Sequence, residues 1–101
     1  MKIALICFAG MSTSLLVNRM RKVAKEQGLD LEIEAYSASD IHDVLEDANV
    51  VLLGPQARYA LEEVKSIVEP RHIPVDVIDS IMYGTMNAKG VLEKALSMAK
   101  Q

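Results

Sequence analysis

The sequence predicts a single α/β domain with three layers, in which helices cover both faces of a four-stranded parallel sheet. The chain has 101 residues and half of them are apolar, which suits one domain with its own core. Short apolar runs alternate with helix-like segments, which is the pattern of βαβ units. No repeat, low-complexity tract or linker interrupts this pattern, so we expect one domain over residues 1–101.

The four predicted strands are of two kinds. Residues 3–6 and 50–53 are apolar throughout, which favours central strands covered on both faces. Residues 31–36 and 75–78 alternate at least in part between apolar and polar side chains, which is typical of edge strands. Right-handed crossovers then favour the strand order 2-1-3-4. In that order the connections reverse direction between the first and third strands, so a ligand crevice is expected at their carboxyl ends.

Helical segments are predicted between and after these strands. Residues 12–27 carry apolar side chains at helical spacing, and Gly28 follows as a common helix stop. A short helix capped by its first residue, a serine, is expected over residues 39–47. Longer helices are expected over residues 56–68 and 87–100, each with an apolar stripe.

Composition excludes several classes of function. A net charge of −3 without a long basic run argues against nucleic acid as a partner. No apolar stretch approaches the roughly 18 to 20 residues of a membrane span, and no targeting segment is visible, so we expect a cytoplasmic protein without membrane insertion. The single cysteine excludes internal disulfides, and the two histidines lack ligand-like spacing. We therefore expect neither a metal nor a cofactor.

Residues that could bind an anion cluster where the first strand passes into the first helix. Gly10 permits a tight turn, and the free N–H groups at a helix start favour a bound anion. The hydroxyl groups of residues 12–14 are candidate donors to that anion, although serine and threonine are also ordinary capping residues. We expect phosphate to bind along this loop, at Phe8, Ala9, Gly10, Met11, Ser12, Thr13 and Ser14.

Cys7, at the end of the first strand, is the candidate nucleophile. The neighbouring helix start would favour its thiolate form, whereas a cysteine that simply packs as a small apolar residue is the alternative. Cysteine phosphatase loops place an arginine six residues after the cysteine, and here that position is Thr13. The loop also lacks Asp, Glu and His, so nothing in it activates water. A cysteine that accepts phosphate but hydrolyses it poorly is a carrier.

Further candidates follow the third and fourth strands. Gln56 comes after Gly54 and Pro55, and it either donates its amide to phosphate or simply begins a helix. Asp79 is expected to hold a loop by hydrogen bonds rather than act in catalysis, because a carboxylate repels a phosphoryl group. Tyr83 either contacts the cysteine loop or packs as a half-buried aromatic residue, which is the interpretation we favour from the sequence.

Three blocks of sequence resemble a known family. They are CFAGMSTSLL from Cys7, VVLLGPQ from Val50, and VIDS from Val77 with the later pair Tyr83-Gly84. Together they are similar to the IIB components of the phosphoenolpyruvate-dependent sugar phosphotransferase system (PTS), of the lactose/cellobiose/chitobiose type. The resemblance extends over nearly the whole chain and implies a fold like that of small tyrosine phosphatases and flavodoxin.

This resemblance also implies an activity and partners. Cys7 would be the phosphorylated residue of a phosphotransferase, receiving its phosphoryl group from a phosphohistidine of the IIA protein. It would pass the group to a sugar, expected to be a β-disaccharide such as cellobiose, chitobiose or lactose, translocated by the membrane permease IIC. The protein would then be cytoplasmic and dock transiently at the inner face of the membrane through IIC.

Two other classes of function remain as alternatives. A hydrolase of the cysteine phosphatase or arsenate reductase kind is disfavoured by Thr13 in place of arginine. A flavin-binding or receiver module could share the same open-sheet plan. However, a receiver needs acidic residues where Cys7 stands, and a flavin site usually needs aromatic walls, whereas this chain has no tryptophan.

Overall fold

Strands and helices alternate along the computed structural model, which describes residues 1–7, 11–41 and 45–100. The strands within these ranges are β1 (Lys2–Cys7), β2 (Glu32–Ser37), β3 (Val50–Leu53) and β4 (Val75–Val77). The α-helices are α1 (Met11–Glu26), α2 (Leu61–Val68), α3 (Ser80–Gly84) and α4 (Ala88–Ala99). None of these helices combines the length and apolar character that crossing a bilayer would require.

The sheet has the predicted order, β2-β1-β3-β4, and every pairing in it is parallel. Ile3 lies beside Ile33 on one side and Val50 on the other. All four residues of β3 are buried, as are the five residues of β1 after Lys2. The apolar character of these strands therefore reflects burial on both faces, as the sequence predicts.

Alternation along the central strands divides the core into two layers. Ile3, Leu5, Val50 and Leu52 face one layer, which contains buried residues of α1 and α4. Their neighbours in sequence face the other layer, which contains buried residues of α2 and of the segment before β3. Since successive side chains of a strand point to opposite faces, this arrangement follows directly from the pleat.

Gly28, two residues after the end of α1, has φ = +71° and provides the predicted helix stop. The Leu29 N–H donates to the Ala24 carbonyl at 2.8 Å, and the Gly28 N–H donates to the Lys25 carbonyl at 3.1 Å. This pair of bonds is the Schellman arrangement, in which a left-handed residue satisfies the last carbonyls of a helix. The stop fixes where the chain turns back into β2.

The continuous helix predicted over residues 56–68 is wrong in its first part. Pro55–Ala60 forms a 3-10 segment, and the α-helix begins only at Leu61. The preceding Gly54 provides no side-chain cap, and the Ala57 N–H donates to the Gly54 carbonyl at 2.9 Å. This three-residue spacing is the tighter 3-10 pattern that helix ends commonly adopt.

The short helix predicted over residues 39–47 also differs. The structure has a 3-10 turn over Ala38–Asp40 and another over Leu45–Asp47, while residues 42–44 lie outside the described residues. The cap of the first turn is Ser37 rather than Ser39, because the Ser37 hydroxyl accepts the Ser39 N–H at 3.3 Å. A serine two residues earlier thus takes the capping role.

His72 provides a stability prediction. It is exposed and adopts φ = +60° after the 3-10 turn Glu69–Arg71. Because a left-handed conformation costs a residue with a Cβ roughly 1 to 2 kcal/mol, we expect His72→Gly to raise the free energy of unfolding by about 0.5–1 kcal/mol. Urea denaturation measures this. Glu62→Gly, at an exposed position of helix α2, is the control and should lower stability by about 1 kcal/mol. Equal losses in both variants would contradict the argument.

Candidate functional site

Cys7 lies at the carboxyl end of the central strand β1. It pairs in register with Ser37 of β2 and is buried, with 6% of its surface exposed. Its Sγ–H donates to the Tyr36 carbonyl oxygen at 3.7 Å. Residues 8–10 follow immediately and lie outside the described residues, and α1 begins at Met11. The thiol therefore lies at the edge of the sheet formed by the carboxyl ends of its strands, four positions before a long helix.

The carboxyl ends of β1 and β3 are joined at this edge. The Gly54 N–H donates to the Ile6 carbonyl at 2.8 Å, so the end of β3 lies directly beside Cys7. From here β1 leads to α1 in one core layer, whereas β3 leads to α2 in the other. In open parallel sheets ligands bind where the connections diverge in this way, and we call the region around the carboxyl ends of β1 and β3 the crevice.

A buried hydroxyl pair links two elements at this crevice. Thr13, in the first turn of α1, has 2% of its surface exposed, and its Oγ1 lies 2.7 Å from the Tyr83 Oη of α3. Either hydroxyl can donate in this hydrogen bond. The two residues are 70 positions apart in sequence, so the contact depends entirely on the tertiary fold.

Tyr83 and Gln56 both approach Gly54. An ideal Cβ at Gly54 would lie 3.5 Å from the Tyr83 Cε2 and 3.1 Å from the Gln56 Oε1. The missing side chain thus lets an exposed amide lie over the end of β3 and lets the tyrosine ring approach the strand backbone. Pro55 begins the 3-10 segment between Gly54 and Gln56.

Asp79 fixes the start of α3. Its Oδ1 accepts the Ile81 N–H at 2.7 Å and the Met82 N–H at 3.2 Å, which is the geometry of an N-terminal cap. The structure thus gives the Asp79 carboxylate a loop-holding contact. Because Tyr83 lies in the same short helix, the cap also helps to position the tyrosine at the crevice.

The remaining predicted loop residues are only partly described. Phe8, Ala9 and Gly10 lie outside the described residues, whereas Met11 and Ser12 contribute the first backbone positions of α1. Ser14 is exposed on that helix. The structure thus brings Cys7 together with four other predicted site residues: Thr13, Gly54, Gln56 and Tyr83.

A contact between Tyr83 and the cysteine loop was the less favoured alternative from the sequence, and Thr13 was not identified as the partner. Tyr83 is buried, with 7% exposed, rather than half-buried, and it combines core packing with a contact to the helix that carries the loop. A signal for Thr13 was available, since it precedes Leu16 and Met20 by three and seven residues on the buried stripe of α1. A hydroxyl on such a stripe requires a partner, but periodicity cannot name it.

Charge coupling is found away from this crevice. Burial tends to raise the pKa of Asp76 on β4, but hydrogen bonds from the Lys94 ammonium and the Val77 N–H outweigh it and lower that pKa. At the other end of β1, the Lys2 ammonium lies 5.2 Å from the centre of the Tyr36 ring, and its interaction with Tyr36 raises the pKa of Lys2. No group of three metal-binding side chains occurs among the described residues. The crevice itself brings together the neutral hydroxyl and amide groups of Thr13, Tyr83 and Gln56.

Comparison with known proteins places these features in a family. Residues 2–94 match the family model of the lactose/cellobiose-specific IIB subunit of the PTS. The galactose-specific EIIB component of Lactococcus lactis subsp. cremoris is 46% identical over 98 residues, covering 92% of this chain and 91% of the relative. The lactose-specific EIICB component of Lacticaseibacillus casei is 30% identical over 67 residues, which cover 66% of this chain and 12% of that longer protein.

A solved structure agrees with these sequence matches. The solution structure of a cellobiose-specific IIB component from Borrelia burgdorferi aligns with a TM-score of 0.82 and 41% identity, covering 99% of this chain and 92% of that one. The shared fold, the matched length and the level of identity lead to one conclusion: the chain belongs to the lactose/cellobiose-specific IIB family of the sugar phosphotransferase system.

Proposed function

We propose that this protein is a phosphoryl carrier, in which Cys7 holds the phosphoryl group as phosphocysteine between two partners. The observation that carries the proposal is the position of Cys7 at the carboxyl ends of β1 and β3, beside the start of α1. N–H groups at a helix start have no intrahelical partners and favour an anion. We further propose that loop residues 8–14 supply these donors, and that Gln56 adds its amide.

The surroundings of Cys7 favour carriage over hydrolysis. Thr13 occupies the place of the phosphatase arginine, and it is buried against Tyr83. Asp79, an acidic residue at this rim, uses its Oδ1 to cap α3. Hydrolysis requires a group that activates water, and neither contact supplies one. N–H bonds to charged oxygen, each contributing roughly 1.5–3 kcal/mol, can hold the phosphoryl group without a guanidinium.

The proposed cycle conserves atoms and charge. The Cys7 sulfur attacks the phosphorus of a phosphohistidine, the S–P bond forms, and the P–N bond breaks with its electron pair moving to the imidazole. The thiol proton ends on that imidazole nitrogen. In the second step a sugar hydroxyl attacks the phosphorus, the S–P bond breaks, and the hydroxyl proton returns to the cysteine. Both steps depend mainly on positioning the reacting groups in line.

The partners proposed for these steps are a IIA phosphohistidine protein as donor and a IIC sugar permease. Membership of the IIB family supports both, and the name EIICB of the Lacticaseibacillus casei relative supports the pairing with IIC. The names of two relatives mention lactose and cellobiose, which are β-linked disaccharides, whereas a third mentions galactose. The first two names support a β-disaccharide such as cellobiose, chitobiose or lactose as acceptor. The proposed location is the cytoplasm, with transient docking to IIC at the inner face of the membrane.

The direct test is Cys7→Ser. The substitution is nearly isosteric and lies at a strand end, so we expect a loss of stability on the order of 1 kcal/mol. Phosphorylation should nevertheless fail, because serine has no appreciable ionised fraction at neutral pH whereas a thiol has a few per cent. Both proteins are incubated with phosphorylated IIA, and their intact masses are measured. Wild type should gain one phosphoryl group and the variant none; phosphate on serine at a similar rate, or on another residue of wild type, would refute the proposal.

The proposed contact of Gln56 with the phosphoryl group can be tested by replacing its amide with a carboxylate. Gln56→Glu places a carboxylate over the end of β3, where it would repel the phosphoryl group, whereas the neutral amide would donate to it. Losing one such bond corresponds to a roughly 10- to 100-fold slower transfer from IIA, measured by quenched-flow mass spectrometry. The matched control is Gln27→Glu, which adds the same charge at an exposed site after α1. Equal rates for the two variants would remove Gln56 from the site.

A further inference from the structure

The hydroxyl of Tyr83 has no role yet in the proposed transfer, although its position is closely defined. It lies 2.7 Å from the Thr13 hydroxyl, inside a crevice where both residues are more than nine-tenths buried. We propose that Tyr83 is a positioning residue, which donates to Thr13 and thereby directs the Thr13 hydroxyl proton toward the phosphoryl group on Cys7. This inference rests on the proposed function of Cys7.

The direction of the bond carries the argument. Each hydroxyl has one proton and can also accept, so the pair can be oriented in two ways. A dianionic phosphoryl group only accepts hydrogen bonds. Its arrival therefore selects the orientation in which Tyr83 donates to Thr13 and Thr13 donates to the phosphoryl oxygen. Successive donors in a buried chain polarise one another, which strengthens the bond to the anion.

The position of the ring keeps this chain in place. Tyr83 approaches Gly54 so closely that an added Cβ would lie 3.5 Å from its ring. Asp79 caps the helix that carries Tyr83, and Thr13 lies on the buried stripe of α1. The tyrosine thus connects the end of β3, the start of α1 and the helix after β4. Its hydroxyl is held rather than free to rotate with the solvent.

Burial explains why water would not replace the tyrosine. Thr13 has 2% and Tyr83 has 7% of its surface exposed. Removing the phenol oxygen takes away the donor that holds the Thr13 hydroxyl in its orientation toward the phosphoryl group. The Thr13 hydroxyl would then be less polarised and less firmly oriented as a donor to the phosphoryl group. The rate of transfer should therefore fall even though the fold is kept.

The test uses a double-mutant cycle on the full chain with phosphorylated IIA as donor. Tyr83→Phe, Thr13→Val and the double variant are compared with wild type for the rate of transfer to Cys7. We expect Tyr83→Phe to slow transfer about tenfold, and the double variant to be no slower than Thr13→Val, because Tyr83 acts through Thr13. Tyr59→Phe, which removes a hydroxyl from a tyrosine that is 64% exposed, is the matched control and should leave the rate unchanged.

A second readout separates positioning from stability. The pH midpoint of the phosphocysteine phosphorus resonance should rise in Tyr83→Phe, because a weaker donor stabilises the dianion less. Independent, multiplicative effects in the cycle, or an unchanged rate and midpoint in Tyr83→Phe, would overturn the inference. If Tyr83→Phe does not fold, Thr13→Ser should keep the wild-type rate while Thr13→Val does not, and equal rates there would overturn it. Failure of wild type to label Cys7 would instead refute the proposed function.

Discussion

The pairing of β1 with β3 is the constraint on which the rest of the structure depends. Both strands are apolar and buried on their two faces, so each must be covered by helices from above and below. Helix α1, which follows β1 in sequence, lies in one layer, and helix α2, which follows β3, lies in the other. The two connections consequently diverge beside Cys7, where the Gly54 N–H donates to the Ile6 carbonyl. A requirement of core packing thus creates the crevice at which the thiol is placed.

The groups gathered at this crevice suit a protein that must release what it binds. Thr13, hydrogen-bonded to Tyr83, and Gln56 place neutral polar groups at or near the ends of the central strands, where a phosphatase would present a guanidinium. A carrier that bound the phosphoryl group very tightly would also slow its departure, because stabilising the bound state raises the barrier to the next transfer. Neutral donors hold the group more weakly than an ion pair does. That position 13 is threonine and not arginine therefore says as much about the proposed function as the presence of Cys7.

The sheet could be predicted from the sequence because its signals are local. The sequence pattern of a fully apolar strand differs clearly from that of an alternating one, and glycine, as at Gly28, commonly ends helices. Helix α3 was missed because its five residues are too few to show a helical period, although Asp79 was a readable cap signal. The 3-10 start at Pro55 depends on local hydrogen bonding, which composition does not specify. The bond between Thr13 and Tyr83 joins residues 70 apart, so it required the folded chain.

The most direct test of the account concerns the backbone donors at the start of α1. The N–H groups of residues 11–13 precede the first intrahelical bonds of this helix, and a phosphoryl group on Cys7 should accept some of them. Amide hydrogen exchange is measured for the unmodified and phosphorylated wild type, with Cys7→Ser treated identically as a control. Exchange in residues 11–13 should slow by about tenfold or more in the phosphorylated protein alone. Equal exchange in both forms, with the phosphate mapped to Cys7, would contradict the claim that helix-start donors hold the phosphoryl group.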